Sequence, residues 1–556
     1  MNINSLFQKK NIADLQEVNN SSQLNKVLSI KDLTFFGIAA IIGAGIFSTI
    51  GRASYEGGPA VSLLFVFVAI ACIFTALCYA QFASMIPVSG SAYTYAYVSL
   101  GEIFAWTIGW ALILEYAVSN MVISISWSGY FVSMLKGFGI NWPEWLAIDY
   151  WNAHKAYLEV QTQQLSASAT TLKLAKIFES APEIAGIKIL FNLPAGLITL
   201  AVTALAYIGI KESTRVSNAL VWIKLVVIVG IIAIGAFYVK PENWTPFLPN
   251  GFEGVMGGVA AVFFSFIGFD SISTTAEECK NPQRDLPRAM IYCIIICTVL
   301  YASIALILTG MVNFSELKVD DPLAYVFDKI GMNFIAGVIS VSAVIAMTGA
   351  ILVYQVGQPR IWMTMSRDGL LWKPFGRIHK KYHTPAFATV VAGFFVGIPA
   401  MFIDMQIVVD LTSVGTFFAF ILVCSGVLFL DYKGYSKQAK FKLPYFNGQY
   451  LIGILFLLGL YLFINHTDYK SILSDKPLLS IFWLVWLGLS LSSLKYKFSL
   501  LPVLGILFNL YLMTELGWSN WGMFLIWLII GLAIYFLYGK RNSKLDQLLR
   551  KKQEFL

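Results

Sequence analysis

A carboxylate interrupts the sixth apolar run of this sequence, GGVAAVFFSFIGFDSISTTAEE. Gly268 lies near the centre of the run, Asp270 follows it, and several Ser and Thr hydroxyls come next. If the run crosses a membrane, a carboxylate at this depth costs about 2.5–3.5 kcal/mol on insertion scales and usually marks a pathway or a binding site. Gly268 would permit a break in the helix, because glycine lowers helix propensity by about 1 kcal/mol relative to alanine.

Glycines also cluster in the first apolar run, FFGIAAIIGAGIFSTIGR, with Gly43, Ala44 and Gly45 at its centre. An unwound backbone in hydrocarbon is tolerated only where it is buried in protein or lines a cavity. Taken alone, this run has an equally good alternative, since small residues also let two helices pack closely. Breaks in spans one and six together favour an inverted repeat of five helices, which places such breaks five spans apart.

Two opposed breaks would form a site that offers both signs of charge. Half-helix N-termini face an anionic group, and carbonyls freed by the unwinding face a cation. A free amino acid matches this arrangement. Its carboxylate would bind the amides around Gly43–Gly45, and its ammonium the carbonyls around Phe264–Ile267. The chemistry predicted here is the binding of a zwitterion.

Two more charged residues fall inside apolar runs. Glu115 follows WTIGWALIL in the third run, and Lys224 follows NALVWI in the fifth. Either could be half of a buried ion pair, or Lys224 could extend to the inner surface, since it lies only about nine residues after Arg215. The functional alternative is proton coupling, because a low-dielectric site disfavours the charged form of a lysine and allows it to exchange a proton.

The composition identifies the elements that must position these residues. The chain is 58% hydrophobic and 13% charged, whereas soluble domains carry about 25% charged residues. Apolar runs near the 20 residues that cross about 30 Å of hydrocarbon recur along the whole chain. We predict an all-α integral membrane protein with about 14 transmembrane helices, the first ten forming a 5+5 inverted repeat with broken helices 1 and 6. The predicted spans are 34–55, 60–86, 101–135, 190–210, 218–238, 255–275, 289–311, 331–358, 385–404, 408–430, 449–465, 478–494, 499–516 and 522–539.

The distribution of basic residues sets the orientation. Most of the 39 Lys and Arg residues fall in loops that are cytoplasmic if the N-terminus is cytoplasmic, which is the positive-inside pattern. Both termini are therefore predicted to be cytoplasmic, in a multi-pass protein of the plasma (inner) membrane. The predicted units are an N-terminal segment 1–33, a ten-helix core 34–430 with an outer loop 136–189, four additional helices 431–539, and a tail 540–556.

The outer loop and the tail have patterns of their own. From Leu165 through Leu172 to Phe178, apolar residues recur at helical spacing, which predicts a helical cap or a segment on the membrane surface. The tail after Tyr538 is basic and is predicted to lie near anionic headgroups.

Other functional classes find no support in the residues. Six cysteines predict neither a disulfide framework nor a zinc site. The four histidines fall on predicted loops, and no HExxH or GxSxG motif occurs, so no enzyme, metal or cofactor is expected. No cleavable signal peptide is expected. The net charge of +8 reflects the inner loops and does not indicate nucleic acid. A channel would need a continuous polar file, whereas the charges here are few and scattered.

At these residues the sequence resembles the amino acid–polyamine–organocation superfamily, and within it the cationic amino acid transporter family and its bacterial relatives. Three blocks carry the resemblance, with weaker support near residues 357–371 and 501–513. They are IIGAGIF at 41–47, PVSGSAYTYAYVSLGEIFAWTIGWALILEY at 87–116 and FFSFIGFDSISTTAEECKNPQRDLPRAM at 263–290. The resemblance implies the inverted-repeat fold over the first ten spans, with four extra helices as in longer members.

The resemblance also implies roles for single residues. Phe264 resembles the aromatic residue that closes over substrate, and Asp270 matches a polar position below the site. Lys224 matches a fifth-span lysine that stands where sodium-coupled relatives bind an ion. Glu115 matches a third-span acidic residue, and Met347 the position that lines the side-chain pocket. The implied substrate contacts are Ile41, Ile42, Gly43, Ala44, Gly45, Phe264, Ser265 and Ile267.

The function expected from these observations is secondary active transport of amino acids, coupled to protons. Met347 is apolar and adaptable, so small neutral amino acids are expected in preference to arginine or lysine, for which no acidic partner is evident. A cationic amino acid transporter or exchanger is the alternative within the class, and an amino acid receptor of the same fold is the alternative outside it. The expected partners are the amino acid, protons and the lipid bilayer.

Overall fold

The fold is almost entirely helical. The computed structural model of the chain describes residues 6–11, 24–162, 169–184, 186–319, 321–435, 439–465, 472–473, 476–516 and 518–548. Within them the predicted all-α class needs one small correction, a hairpin of two short antiparallel strands, β1 (Glu183–Ile184) and β2 (Ile187–Lys188). This hairpin lies in the predicted outer loop 136–189, where water would satisfy the strand edges that hydrocarbon could not.

The helices are numbered in chain order. The α-helices are α1 (Ile30–Ile41), α2 (Ile50–Gly57), α3 (Val61–Met85), α4 (Ala92–Ser99), α5 (Glu102–Gly137), α6 (Tyr150–Thr162), α7 (Ala169–Ser180), α8 (Leu193–Ile208), α9 (Ile210–Gly235), α10 (Gly251–Gly257), α11 (Val259–Phe264), α12 (Pro282–Met311), α13 (Pro322–Lys329), α14 (Asn333–Arg367), α15 (Ala386–Ala400), α16 (Met405–Tyr432), α17 (Leu451–Ile464), α18 (Leu478–Tyr496), α19 (Leu500–Thr514), α20 (Trp518–Ile534) and α21 (Lys540–Asn542). Two π-helical segments (Gly45–Thr49 and Tyr535–Gly539) and a 3₁₀-helix (Phe269–Glu278) complete the longer elements.

Nine helical segments of the described chain are long and apolar enough to cross a membrane, and four apolar helices (α8, α15, α17 and α19) are shorter. Every predicted span falls on one of these thirteen, and the first segment contains two predicted spans. The number of 14 spans stays a prediction, because the four short helices have fewer than the roughly 20 residues that hydrocarbon requires. The inverted repeat also stays a prediction. The nine segments are Ile30–Met85, Glu102–Gly137, Arg215–Tyr238, Gly251–Glu278, Pro282–Met311, Asn333–Arg367, Thr412–Tyr432, Leu478–Tyr496 and Asn520–Leu548.

The central helices bring the candidate residues together. Helix α1 packs against α9, α12, α14 and the 3₁₀-helix, while α5 lies along α14 and α16. Lys224 lies on α9, Glu115 on α5, Asp270 on the 3₁₀-helix and Met347 on α14. The break that follows α1 is therefore surrounded by the elements that carry the other candidates.

A capping box fixes the start of α1. The Ser29 hydroxyl accepts from the Asp32 amide, and the Asp32 carboxylate accepts from the Ser29 amide. This reciprocal pair satisfies two helix-terminal donors. Asn218 of α9 donates to the other oxygen of Asp32 at 2.7 Å, so the same carboxylate fixes α1 against α9.

The segment predicted to be the outer loop folds into a small helical unit with its own core. Helices α6 and α7 pack together around Ala153, Ile177 and Phe178. The predicted helical spacing is confirmed from Leu172 to Phe178, which lie in α7, while Leu165 falls outside the described residues. Helix α6 was not predicted.

Both terminal segments dock on the same side of the helical core. Gln8 accepts a backbone hydrogen bond from Glu102 at 3.0 Å, and the Lys544 amide donates to the Asp368 carbonyl at 3.0 Å. Tyr535 donates to the buried Glu102 carboxylate at 2.8 Å. The described part of the tail thus packs against protein, and residues 549–556 fall outside the described chain.

Candidate functional site

The helix of the first apolar run is broken at the residues where the sequence predicts a break. Helix α1 ends at Ile41, Ile42 has non-helical backbone angles (φ −79°, ψ 81°), and the chain resumes as a π-helical turn from Gly45. The carbonyl of Ile41 accepts from the Tyr301 hydroxyl at 2.7 Å and from the Gly43 amide at 2.9 Å. The first amides of the resumed helix have no preceding turn to bond to, and this is where an anionic group is favoured.

The second predicted break begins after α11. The helix ends at Phe264, and Gly268 takes a left-handed conformation (φ 118°) before the 3₁₀-helix begins. Only glycine adopts this region without strain. A Cβ at this position would also lie 2.7 Å from the Ala40 Cβ of α1. The Tyr354 hydroxyl donates to the Ile267 carbonyl at 3.2 Å, so a carbonyl released by the break is held by α14.

The two breaks touch at Gly45 and Ser265. A Cβ built on Gly45 would lie 2.5 Å from the Ser265 Cα, closer than real Cβ atoms approach. The Thr49 hydroxyl donates to the Gly45 carbonyl at 2.9 Å, and the Ser265 hydroxyl donates to Ala261 at 3.0 Å. Gly45 therefore serves the close packing of spans one and six, which was the alternative interpretation of this glycine. Gly43 is less crowded: its nearest neighbours would be Ala350 at 3.1 Å and Ile123 at 3.7 Å.

Lys224 joins the first break to α14. Its side chain is completely buried, and its ammonium donates to the carbonyls of Ile42 at 2.8 Å, Ala346 at 3.2 Å and Ala39 at 3.4 Å. An ammonium has three donors and no acceptor, so these three carbonyls use its full capacity. No carboxylate pairs with it in the described chain. Neither a buried ion pair nor an extension to the surface accounts for this lysine.

Glu115 and Asp270 are buried carboxyl groups without basic partners among the described residues. Asp270 accepts from the Tyr116 hydroxyl at 2.9 Å through one oxygen, and its other oxygen has no hydrogen bond. Neither oxygen of Glu115 accepts a hydrogen bond within the described residues. The Thr416 hydroxyl faces Glu115 but donates to the Thr412 carbonyl at 3.1 Å.

Met347 lies on the face of α14 that is turned toward the breaks. It is completely buried and lies one turn from Ala350, the neighbour of Gly43, and two turns from Tyr354. Residues at this spacing share one face of a helix. Phe264 is 5% exposed and ends α11 directly before the second break.

The sequence analysis missed the tyrosines that hold the broken backbone. Tyr301 and Tyr354 bond to carbonyls of the two breaks, Tyr116 to Asp270, and Tyr130 to the Phe47 carbonyl at 2.6 Å. A buried tyrosine hydroxyl usually finds a partner, so tyrosines inside apolar runs are the signal that could have found them.

Buried ion pairs fasten the end of the 3₁₀-helix. Arg360 of α14 binds Glu278 through two hydrogen bonds of 2.6 and 2.8 Å, and both side chains are almost completely buried. Arg367 binds Glu277 at 2.9 Å, and the Ser89 amide donates to the same carboxylate at 3.2 Å. These contacts close the space between span six, α14 and the loop after α3.

The long apolar helices, together with the two breaks inside apolar segments, define the class of this protein as a multi-pass membrane protein. A family model described as "Amino acid permease" matches residues 28–489, and one described as "C-terminus of AA_permease" matches residues 499–543. The chain belongs to the amino acid permease family, which confirms the resemblance seen in the sequence.

Three relatives span nearly the whole chain. The branched-chain amino acid permease BcaP of Bacillus subtilis (strain 168) is 38% identical over 98% of this chain and 99% of its own. The methylthioribose transporter of the same bacterium is 34% identical over 98% of this chain and 100% of its own. The vacuolar cationic amino acid transporter 4 of Arabidopsis thaliana is 29% identical over 98% and 97%, respectively. These relatives are transporters and permeases, and this chain is not an enzyme.

Proposed function

We propose that this protein is a secondary active transporter that carries small neutral amino acids together with protons across the plasma membrane. The two breaks that meet at Gly45 and Ser265 are the main observation behind this proposal. The amides after Ile42 offer donors to a carboxylate, and the carbonyls at the end of α11 offer acceptors to an ammonium. In the proposed mode the substrate carboxylate lies against the backbone of Ile42, Gly43, Ala44 and Gly45. The amides of Ala44 and Gly45 would donate to it, because the Ile42 and Gly43 amides already donate to backbone carbonyls.

The remaining proposed contacts complete the site. Ile41, Phe264, Ser265 and Ile267 are proposed to surround the ammonium end of the substrate, with the carbonyls at the end of α11 as its acceptors. Asp270 is proposed to act below the site. Because most of the proposed binding groups are backbone amides and carbonyls, the site would recognise the carboxylate and ammonium that all amino acids share. The side-chain pocket would set the selectivity.

Proton coupling is proposed through Lys224 and Glu115. A buried carboxylate without donors is energetically costly, and Glu115 receives none in the described chain. A proton on Glu115 would remove the charge and provide a donor for the Thr416 hydroxyl that faces it. Lys224 holds the first break through its ammonium, so its charge state would affect the backbone that binds substrate.

The apolar pocket wall supports a neutral substrate. Ile123, Met347 and Ala350 are buried apolar residues near Gly43 or on the same face of α14. A lysine or arginine side chain would need an acidic partner, and the two buried carboxyl groups are assigned other roles in this proposal, Asp270 below the site and Glu115 in proton coupling. The relatives named for branched-chain amino acids, cationic amino acids and methylthioribose define the competing substrates.

Counterflow in proteoliposomes tests the proposal. Vesicles loaded with unlabelled alanine should accumulate labelled alanine without sodium, and external alanine or serine should compete better than arginine or methylthioribose. A receptor would bind alanine without exchanging label. Counterflow that only arginine or only methylthioribose supports would contradict the proposed substrate class.

The topology is part of the same proposal. We infer 14 spans with both termini in the cytoplasm, an inverted-repeat core at 34–430 with the outer loop 136–189, four additional helices at 431–539, and terminal segments 1–33 and 540–556. Single cysteines in a cysteine-free variant, labelled from outside intact cells, test this arrangement. Labelling is expected in the outer loop and not in either terminal segment.

A further inference from the structure

A basic pocket lies on the proposed cytoplasmic side, away from the two breaks. It has a volume of about 750 Å³ and lies between the end of the 3₁₀-helix, the start of α12 and the loop before α17. Its lining residues include five cationic side chains and no acidic one. The cationic residues are Lys26, Lys280, Arg284, Arg288 and Lys440.

The cations of this pocket are not neutralised by the residues that line it. In the described part of the chain, the side chains of Arg284, Arg288 and Lys440 make no ion pair or hydrogen bond. Of the nearby carboxylates, Glu277 and Glu278 are bound to arginines of α14. Asp32 accepts from Ser29 and Asn218, and Asp285 is buried in the first turn of α12. The proposed transport mechanism uses none of the basic pocket residues. The positive-inside pattern accounts for basic residues on this side, but it does not require five of them to line one pocket.

Helix α12 adds a further positive contribution. It is a 30-residue helix that begins at Pro282, and Asn281, Pro282 and Gln283 line the pocket. The N-terminus of a long helix carries about half a positive charge and presents unbonded amides. A cavity that combines this terminus with guanidinium and ammonium groups is suited to a phosphate, which arginine can bind through two parallel hydrogen bonds.

The outward face of α12 indicates which phosphate compound the pocket would hold. Arg284 and Arg288 are one turn apart, and the same helical face continues through Tyr292, Ile295 and Val299, which are 48%, 49% and 62% exposed. Positions four residues apart lie above one another on a helix. The basic pocket therefore opens onto an exposed apolar stripe on the membrane-spanning part of α12. A phospholipid has the matching arrangement, with a charged phosphate headgroup followed by apolar acyl chains.

We propose that the basic pocket binds the phosphate headgroup of an anionic phospholipid of the inner leaflet, with the acyl chains along Tyr292, Ile295 and Val299. Basic pockets between transmembrane helices on the cytoplasmic side are suited to such headgroups. Arg284 and Arg288 would bind the phosphate, and Lys440 would approach it from the loop before α17. The proposal concerns lipid binding and does not depend on the substrate or on proton coupling.

Native mass spectrometry of the purified, delipidated protein tests the proposal. Phosphatidylglycerol should bind more tightly than phosphatidylcholine, and the variant Arg284→Gln/Arg288→Gln/Lys440→Gln should lose affinity for phosphatidylglycerol on the order of 100-fold. The matched control Lys373→Gln/Arg377→Gln/Lys380→Gln removes three exposed cations elsewhere on that side and should bind the lipid as the wild type does. If the triple variant has a lowered melting temperature, Arg288→Gln alone replaces it in the test and should show a smaller loss of affinity for phosphatidylglycerol.

Two outcomes would overturn the proposal. Equal phosphatidylglycerol binding by the wild type and the folded pocket variants would show that the pocket is not the site. Displacement of the lipid by equimolar glycerol 3-phosphate or inorganic phosphate would show a site for soluble anions. Because binding is measured in detergent, neither outcome depends on the orientation of the protein.

Discussion

Replacing Lys224 by methionine tests the proposed coupling most directly. Methionine has a similar length and no charge, so it fills the same volume but removes the three donors to Ile42, Ala346 and Ala39. We expect Lys224→Met to bind substrate more weakly and to lose accumulation driven by a proton gradient. Wild-type uptake should need an inward proton gradient and no sodium, because the ammonium would repel a second cation.

The expected loss of stability is small enough for the variant to fold. Two of the three contacts, at 2.8 and 3.2 Å, are within the usual hydrogen-bond range. Hydrogen bonds to charged groups contribute about 1.5–3 kcal/mol each, which gives a gross loss of roughly 3–6 kcal/mol. Removing the buried charge also removes a desolvation penalty of several kcal/mol. We therefore expect a net change of no more than about 2 kcal/mol, seen as a modestly lower melting temperature.

Proteoliposomes with a clamped membrane potential provide the assay. With one proton per substrate, a gradient of one pH unit supplies about 1.4 kcal/mol, which corresponds to a tenfold accumulation of alanine. Lys224→Met should equilibrate alanine without accumulating it. The control Lys240→Met makes the same change at an exposed lysine beyond the end of α9 and should keep the gradient response. Normal accumulation by folded Lys224→Met would refute the reasoning, as would wild-type uptake that requires sodium and ignores pH.

Three further substitutions probe the packing, the pocket and the buried ion pair. Gly45→Ala should lower folded yield and melting temperature more than Gly43→Ala, because its Cβ would lie 2.5 Å from backbone rather than 3.1 Å from a methyl group; similar yields would contradict this. Met347→Ser should improve arginine binding relative to alanine by about 1–3 kcal/mol, the usual scale of pocket-volume discrimination, and an unchanged ratio in competition binding would count against it. Glu278→Gln should destabilise the protein by about 3–5 kcal/mol in thermal unfolding, because it leaves a buried arginine unpaired, and adding Arg360→Met should recover part of the loss; a double variant less stable than the single one would reject this account.

The positions of both breaks could be predicted because they depend on local sequence. Gly43 and Gly45 lower the helix propensity of one apolar run, and Gly268 precedes a carboxylate that hydrocarbon disfavours in another. Local sequence could not predict what each glycine touches. Gly45 lies against Ser265, 220 residues later in the chain, and only the packing of spans one and six shows that its missing side chain is used for contact.

The partner of Lys224 was beyond sequence analysis for a related reason. The sequence suggested a carboxylate partner or an approach to the surface, because those are the usual ways to accommodate a buried lysine. Its partners are instead backbone carbonyls of α1 and α14, and every residue carries a carbonyl. No pattern of residue types can therefore distinguish Ile42 and Ala346 from their neighbours. The tyrosines that bond to the broken backbone could have been noticed as tyrosines inside apolar runs, but their carbonyl partners could not be predicted for the same reason.

The contacts of Lys224 give a physical link between protonation and the shape of the site. An ammonium has three N–H groups, and a neutral amine has only two. Loss of the proton must therefore release at least one of the carbonyls of Ala39, Ile42 and Ala346, and it weakens the remaining bonds because the donor is no longer charged. Since Ile42 belongs to the first break and Ala346 immediately precedes Met347, release of either carbonyl alters the backbone that carries the proposed carboxylate site or the pocket wall. Proton loss at this one atom would thus change both substrate binding surfaces, which is the coupling that a proton-driven transporter requires.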